Sequence, residues 1–247
     1  MIETLGIVQA RHEAALATLG RKLGSKSLLE WVVRRSTDCQ SVDQLVVVLG
    51  DTELDVVAAR LVPPDVPVFL SERVDMLGRV AAAIAAHPAQ AVVRICADNP
   101  FIDPVLVDRL ATAARRGGPW DYVGYCSADG QPAVVSPLGV YAEWFLAESL
   151  LLADRQATST LDREQVTRFI YTQPDKFRVQ LIPVPLELDR EDVRLKIHVE
   201  EDWENAQVIY EALGPDEWDW QRIAGLLDHQ PALRKRMAVL NRKEARV

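Results

Sequence analysis

The sequence contains few cysteines, and the three it has, Cys39, Cys96 and Cys126, stand far apart. Their number is odd and no Cys-x-x-Cys pair occurs, which argues against a disulfide framework and against a zinc knuckle. Buried apolar thiols in a reducing compartment are the simpler interpretation.

The sequence also lacks long apolar runs and an excess of basic residues. No stretch approaches the roughly 20 apolar residues that a membrane span needs, and the start Met-Ile-Glu-Thr has no signal-peptide character. The 28 Lys and Arg are outnumbered by 36 Asp and Glu, whereas nucleic-acid coating requires a basic surface. We therefore expect a cytoplasmic protein that binds neither nucleic acid nor membrane, although a small anionic ligand would need only a local positive pocket.

What is present is the composition of an ordinary globular protein. The chain has 247 residues, of which 49% are hydrophobic and 26% charged, so a disordered chain is excluded. At roughly 100–200 residues per domain, and without a linker-like segment, residues 1–247 are predicted to form one domain.

The first half of the chain alternates two kinds of pattern. Short Val/Ile-rich runs predict strands, and apolar residues at helical spacing predict helices. The predicted strands are residues 5–9, 45–49, 66–70, 91–96 and 121–125, and the predicted helices are 27–35, 53–61, 74–87 and 104–115. Ser27 and Pro104 are typical helix starts. Such alternation favours an α/β fold in which a mostly parallel, mixed sheet is sandwiched by helices.

After residue 126 the alternation is replaced by a less regular pattern. Residues 131–141 hold two prolines and a glycine, which predicts a broken or bulged strand. Asp162 and Gln165 have the spacing of a capping box at a helix start. Two further strands are predicted at 177–184 and 193–198, followed by helices at 200–213, 221–229 and 231–240.

Ligands of open α/β sheets bind beyond the carboxyl ends of the strands, and the loop after the first strand is the first candidate. Arg11, Lys22 and Lys26 could hold phosphates there. The two glycines of this loop are separated by three residues rather than four, and Ser25 precedes the lysine, so it is not a Walker loop. A surface loop with scattered charge is the alternative interpretation.

Acidic residues after two later predicted strands form the second candidate. Asp98 follows a buried strand, where Mg²⁺ finds the one or two protein oxygens it needs beside phosphate and water. A turn before a helix capped by Asp103 is the alternative. His198 ends another predicted strand, next to Glu200 in an acidic helix start. For His198, a structural role and a metal-binding role both remain open.

These segments resemble the cytidylyltransferases that make CMP-activated acidic sugars. The nearest branch is the spore-coat polysaccharide biosynthesis type, which is related to acylneuraminate cytidylyltransferases. The resemblance spans nearly the whole chain in order, through residues 6–11, 26–32, 75–79, 93–104, 163–171, 192–195 and 201–202.

The resemblance implies a nucleotide-diphospho-sugar transferase (GT-A-like) fold and a homodimer. It divides the chain into a nucleotide-binding-type core (1–126), a mixed-sheet extension for sugar binding and dimer contact (127–213) and C-terminal helices (214–247). The implied reaction transfers the cytidylyl group of CTP to an acidic sugar with Mg²⁺. By correspondence of motifs, the catalytic residues are Arg11 and Asp98, and the nucleotide-binding residues are Gln9, Ala10, Arg11, Lys22, Lys26, Asp75 and Arg79. Arg163 and Gln165 would contact the sugar, and Asp98, His198 and Glu200 would hold the metal.

The sequence departs from the family pattern where the chemistry lies. The Gly-Ser pair of the family's phosphate loop is replaced by Glu13 and Ala14, and its Pro-Gly-Lys has no clear counterpart. The family's late aspartate corresponds to His198, and its motif histidine to Gln165. Without these glycines the backbone of the loop cannot approach the phosphates as closely, and without the lysine the loop has less positive charge to bind them. Two hypotheses follow: a diverged nucleotidyltransferase for surface-polysaccharide synthesis, or a non-catalytic homologue that binds a sugar, a nucleotide or a partner protein.

Overall fold

The computed structural model describes residues 2–10, 15–216 and 218–244. Its strands are β1 (Ile2–Gln9), β2 (Lys22–Leu23), β3 (Lys26–Ser27), β4 (Gln44–Gly50), β5 (Val68–Ser71), β6 (Ala89–Cys96), β7 (Tyr122–Cys126), β8 (Glu143–Leu146) and β9 (Val179–Pro183). Seven of them form one sheet in the order β5-β4-β1-β6-β8-β7-β9, and β2 and β3 form a separate hairpin.

Helices follow most strands. They are α1 (Ala15–Leu19), α2 (Leu28–Thr37), α3 (Glu53–Ala59), α4 (Met76–Ala86), α5 (Pro104–Arg116), α6 (Ala147–Gln156), α7 (Thr160–Glu164), α8 (Arg168–Tyr171), α9 (Glu200–Leu213), α10 (Trp220–Asp228) and α11 (Pro231–Glu244). Ser27 caps α2 by accepting a hydrogen bond from the backbone of Glu30, as the sequence predicts. Within the described residues, no helix is long and apolar enough to cross a membrane.

The central strands are apolar on both faces because helices cover both sides of the sheet. Ile7 and Val8 are neighbours on β1 and point to opposite faces, where each joins a different apolar cluster. β1 pairs in parallel with β4 on one side and with β6 on the other. The chain thus reverses its direction of travel across the sheet between β1 and β6, and such a reversal point opens a crevice at the carboxyl ends of the strands.

The predicted α/β class with a mostly parallel, mixed sheet is confirmed. Each strand and helix predicted before residue 126 is present, with ends displaced by a few residues. The strand predicted at 177–184 is β9, and the three last predicted helices are α9, α10 and α11.

Three predictions after residue 126 were wrong. The region 131–141 forms a short 3-10 helix, Ala133–Val135, with an isolated bridge between Cys126 and Pro132. Residues 193–198 form no strand, because their backbone bonds to loops rather than to a sheet edge. The helix start near Asp162 is capped by Ser159, and Gln165 lies at its C-terminal end.

Among the elements that were not predicted, β8 and α6 bear on the site. β8 pairs antiparallel with both β6 and β7, and α6 follows it directly. This insertion brings Glu143 opposite Arg94 of β6, and that pair lies beneath the candidate site.

Candidate functional site

A cavity of about 230 Å³ lies at the carboxyl ends of β1 and β6, at the reversal point of the sheet. Of the residues singled out from the sequence, it is lined by Gln9, Gln165 and His198. Polar residues that the sequence analysis missed also line it: Arg94, Glu164, Thr167, Tyr171, Lys196 and Glu244.

A buried ion pair supports this cavity from below. Arg94 Nε donates to Glu143 Oε2 at 2.7 Å, and Nη2 donates to the same oxygen. Both side chains are almost fully buried. Burial lowers the pKa of Arg94, but electrostatic interaction with Cys96 and Glu143 outweighs it and raises that pKa overall. Arg94 therefore keeps its positive charge.

The same pair orients residues that face the cavity. Arg94 Nη1 donates to Gln9 Oε1 at 3.1 Å, and Gln9 Nε2 donates to the backbone carbonyl of Met76 at 3.1 Å. Glu143 Oε1 accepts from Tyr122 Oη at 2.8 Å and from the hydroxyl of Thr167. The amide of Gln9 is consequently fixed by two hydrogen bonds before any ligand binds.

Asp98 and Lys196 form a second charged pair beside the cavity. Lys196 Nζ lies 3.7 Å from Asp98 Oδ2, and the two side chains are 16% and 10% exposed. The other oxygen of Asp98 is buried and has no hydrogen-bond partner among the described residues. Lys196 lines the large cavity and an adjoining one of about 20 Å³, whereas Asp98 lines neither.

The predicted metal ligands do not come together. Both carboxylate oxygens of Glu200 accept hydrogen bonds from Arg21, at 2.5 and 2.7 Å. The imidazole of His198 is half exposed, and its Nδ1 lies 3.5 Å from Glu244. In the described part of the chain, no three His, Cys, Asp or Glu side chains are grouped so that they could hold a metal ion. The residues present therefore do not fit a divalent cation held by the protein alone.

Of the cations of the first loop, Lys22 and Lys26 are described, and neither is in the cavity lining. Arg11 lies outside the described residues. Lys22 is exposed on the β2–β3 hairpin, and Lys26 Nζ sits 4.5 Å from the ring centroid of Trp31. Ala10 is buried directly after β1.

The predicted residues around α4 have structural partners. Asp75 caps α4 by accepting from the backbone of Gly78 at 2.8 Å. Arg163 donates to Asp75 at 2.9 Å and to Asp154 at 2.7 Å, so its guanidinium ties α7 to the start of α4. Arg79 is buried and donates to a backbone carbonyl through Nε. None of these side chains is in the cavity lining.

The missed residues had partial signals in the sequence. Arg94 is a lone charge in the apolar run of β6, and buried charges are rarely placed without a partner. Lys196 and His198 are two residues apart, so in an extended segment they point to the same side. Nothing in the local pattern indicated that Glu244, at the far end of the chain, would reach the cavity.

Glu244 gives a pH-dependent prediction. Burial raises its pKa, but the hydrogen bond and charge of Arg194 outweigh this and lower that pKa overall. A carboxyl whose pKa is lowered by folding stabilises the native state above its unfolded pKa, and this contribution is lost as pH falls through the folded pKa. We expect Glu244→Gln to lower the free energy of unfolding at neutral pH by less than about 1 kcal/mol, because the side chain is half exposed.

Urea unfolding of wild type and Glu244→Gln between neutral and acidic pH checks this prediction. The difference between the two proteins should vanish in acid. Glu211→Gln, an exposed residue of α9, is the matched control and should differ little from wild type throughout. A Glu244→Gln effect that is unchanged in acid would contradict the assignment.

Comparisons with known proteins bear on the whole chain. The family model described as the MobA-like NTP transferase domain matches residues 18–170. The spore coat polysaccharide biosynthesis protein SpsF of Bacillus subtilis is 29% identical over 223 residues, which cover 87% of this chain and 89% of that protein.

Solved structures share the fold. A cytidylyltransferase from Leptospira borgpetersenii superposes with a TM-score of 0.83 at 19% identity, over 94% of this chain and 97% of that one. A CMP:2-keto-3-deoxy-manno-octonic acid synthetase complexed with CTP has a TM-score of 0.61 at 10% identity, over 85% and 98%. Rv0371C of Mycobacterium tuberculosis in complex with manganese has a TM-score of 0.59 at 16% identity, over 83% and 98%.

Proposed function

We propose that this chain, which belongs to the family of MobA-like NTP transferase domains, transfers the cytidylyl group of CTP to an acidic sugar. The predicted similarity to the spore-coat cytidylyltransferase branch and the nucleotide-diphospho-sugar transferase fold are both confirmed. The nucleotide and the acceptor are the proposed part. They are supported by the CTP and the sugar acid named for one structure with the same fold.

The observation that carries the proposal is the place of the cavity. It opens at the reversal point between β1 and β6, where nucleotides bind in open α/β sheets. Arg94 and Lys196 contribute cationic side chains to its lining, and Gln9 contributes a fixed amide. A cavity with these groups suits an anionic ligand that also has a hydrogen-bonding base or sugar.

The proposed reaction is a substitution at the α-phosphorus of CTP. An oxygen of the acceptor sugar forms a bond to that phosphorus while the bond to the bridging oxygen breaks. Pyrophosphate leaves with the electron pair, and the acceptor's proton passes to solvent. Such transfers depend on positioning and on neutralising phosphate charge.

The remaining residues have proposed roles in the same reaction. Arg11, Lys22 and Lys26 would contact the triphosphate, Ala10 the nucleotide and Gln165 the sugar. Asp75, Arg79 and Arg163 would act by holding α4 and its neighbours in place, since their side chains are engaged within the chain. Mg²⁺ remains a prediction for the nucleotide complex, where phosphate oxygens supply most of its ligands.

Pyrophosphate release with CTP, Mg²⁺ and 2-keto-3-deoxy-manno-octonic acid or an N-acylneuraminate tests the proposal. We expect turnover in the wild type and a loss of about tenfold in His198→Ala, because a cavity-lining polar contact is removed. His229→Ala is the matched control, since His229 is exposed at the end of α10. The absence of pyrophosphate with all four ribonucleoside triphosphates and both acids would refute catalysis.

A non-catalytic homologue is the second candidate function. It is favoured by two cationic side chains that already have partners within the chain. Arg21 is bound by Glu200, and Lys26 rests on Trp31, so neither is free for a phosphate in this conformation. This candidate predicts that CTP raises the melting temperature while no pyrophosphate appears.

The homodimer also remains a prediction. Leu161 and Leu186 expose much of their apolar surface in the extension, and a subunit interface would cover them if they belong to one apolar patch. Light scattering coupled to size-exclusion chromatography would give the mass in solution, and a monomeric mass at all concentrations would contradict it.

A further inference from the structure

We propose that Lys196 is a built-in cation at Asp98, which takes the place of a metal ion held by the protein and contacts a phosphate of the substrate. The phosphate contact rests on the proposed function, whereas the replacement of a metal ion does not. Three observations carry the inference: the Lys196–Asp98 pair, the side chain that faces the cavity, and the backbone contacts that fix Lys196.

The pair occupies the position at which a divalent cation was expected. Asp98 follows β6 at the carboxyl end of the sheet, and its Oδ2 lies 3.7 Å from Lys196 Nζ. Both side chains are largely buried, so their charges are weakly screened. A divalent cation bound to the same carboxylate would be repelled by the ammonium group, and Asp98 alone would not compensate that charge.

A ligand in the cavity would contact Lys196 rather than Asp98. The lysine lines both the large and the small cavity, while the aspartate lines neither. Asp98 therefore holds the lysine from behind. An ammonium group in this position donates to phosphate oxygens as a point charge.

The backbone fixes Lys196 on both sides. The carbonyl of Pro137 accepts from the amides of Leu195 and Lys196 at 3.0 and 3.1 Å, and the carbonyl of Asp98 accepts from Ile197 at 2.9 Å. Gly139 makes this approach possible, because a Cβ there would lie 2.7 Å from the amide nitrogen of Lys196. The segment is thus held against the loop that carries Asp98.

The other residues predicted as ligands are engaged elsewhere. Glu200 is bound by Arg21, and His198 stands next to Glu244. In the described part of the chain, Asp98 is not grouped with two further His, Cys, Asp or Glu side chains that could bind a metal ion together with it. The ammonium group of Lys196 next to Asp98 is consistent with a site whose positive charge comes from the protein.

Titration of the nucleotide-free protein with Mn²⁺, followed by electron paramagnetic resonance, tests the replacement. We expect no saturable Mn²⁺ binding in the wild type that depends on Asp98. Lys196→Asp should bind Mn²⁺ about tenfold or more tightly, because it restores a pair of carboxylates. Saturable Mn²⁺ binding in the wild type that Asp98→Asn abolishes would overturn the proposal, and this outcome needs no variant at position 196.

Binding of CTP in the presence of EDTA tests the phosphate contact. We expect Lys196→Met to weaken CTP binding about tenfold, because it removes a charge-assisted contact, and Lys196→Arg to retain most of the affinity. Lys235→Met, on the exposed face of α11, is the matched control and should bind as the wild type does. Equal affinity of Lys196→Met and wild type would refute the contact. If the wild type binds CTP neither in EDTA nor with Mg²⁺, the proposed function fails while the Mn²⁺ titration still decides the replacement.

Discussion

Replacing Glu143 by glutamine is expected to lower the free energy of unfolding by about 3–5 kcal/mol, the cost of leaving one member of a buried ion pair without its partner. Glutamine has nearly the same shape and can still accept from Tyr122 and Thr167. It removes the negative charge opposite Arg94, which is almost fully buried. Urea unfolding at neutral pH measures the loss.

A double variant separates charge from packing. Arg94→Met combined with Glu143→Gln removes both charges, while the glutamine can still accept from Tyr122 and Thr167, so no buried charge is left without a partner. We therefore expect the double variant to be more stable than Glu143→Gln. If Glu143→Gln unfolds at the same urea concentration as the wild type, Arg94 has another way to satisfy its charge. The assigned role of the pair beneath the cavity would then be wrong.

The parallel half of the sheet was predictable because its signals are local. Each of β1, β4 and β6 is a short apolar run followed by a helical pattern, and α2 and α5 begin at typical start residues. Burial on both faces makes such strands continuously apolar. Their order in the sheet is not a local property, but the alternation with helices restricts it strongly.

The antiparallel half was not predictable in the same way. β8 has only four residues and begins with Glu143, a charge that is acceptable there because Arg94 lies opposite it on β6. The partner is 49 residues away in sequence. The segment 193–198 has an alternating pattern that suits a strand, yet its amides bond to Pro137 and Asp98 in loops. In both cases a long-range contact decides the structure.

The site was predicted to the extent that it follows from the parallel strands. Gln9 and Asp98 were expected near the carboxyl ends of β1 and β6, and the structure places them there. The partner of Asp98 could not be inferred, because Lys196 is distant in sequence and its backbone packs against the turn around Gly139. A contact that depends on such a turn can be identified from the folded structure, but a sequence motif does not predict it.

Replacing Gly139 by alanine is the sharpest test of that turn. Gly139 has a φ of +70°, which costs an L-residue roughly 1–2 kcal/mol. The added Cβ would also lie 2.7 and 2.9 Å from the amide nitrogen and Cα of Lys196. Both are backbone atoms, so the whole segment must move, and a shift of about 1 Å at a reacting site can lower a rate about 100-fold.

Gly130→Ala is the matched control for this variant. Gly130 has a φ of +82°, but nothing lies within 4 Å of a Cβ placed there. Both variants should therefore lose the stability that a positive φ costs an L-residue, and Gly139→Ala should lose more in urea unfolding, because its Cβ also meets the backbone of Lys196. Only Gly139→Ala should lose about 100-fold in pyrophosphate release and bind CTP about tenfold more weakly in the presence of EDTA, because Lys196 is displaced. The second readout is independent of turnover, so it applies even to a protein that only binds nucleotide. If both variants behave alike in both assays, the turn does not require glycine at position 139. The close approach of Gly139 would then not be what fixes the position of Lys196.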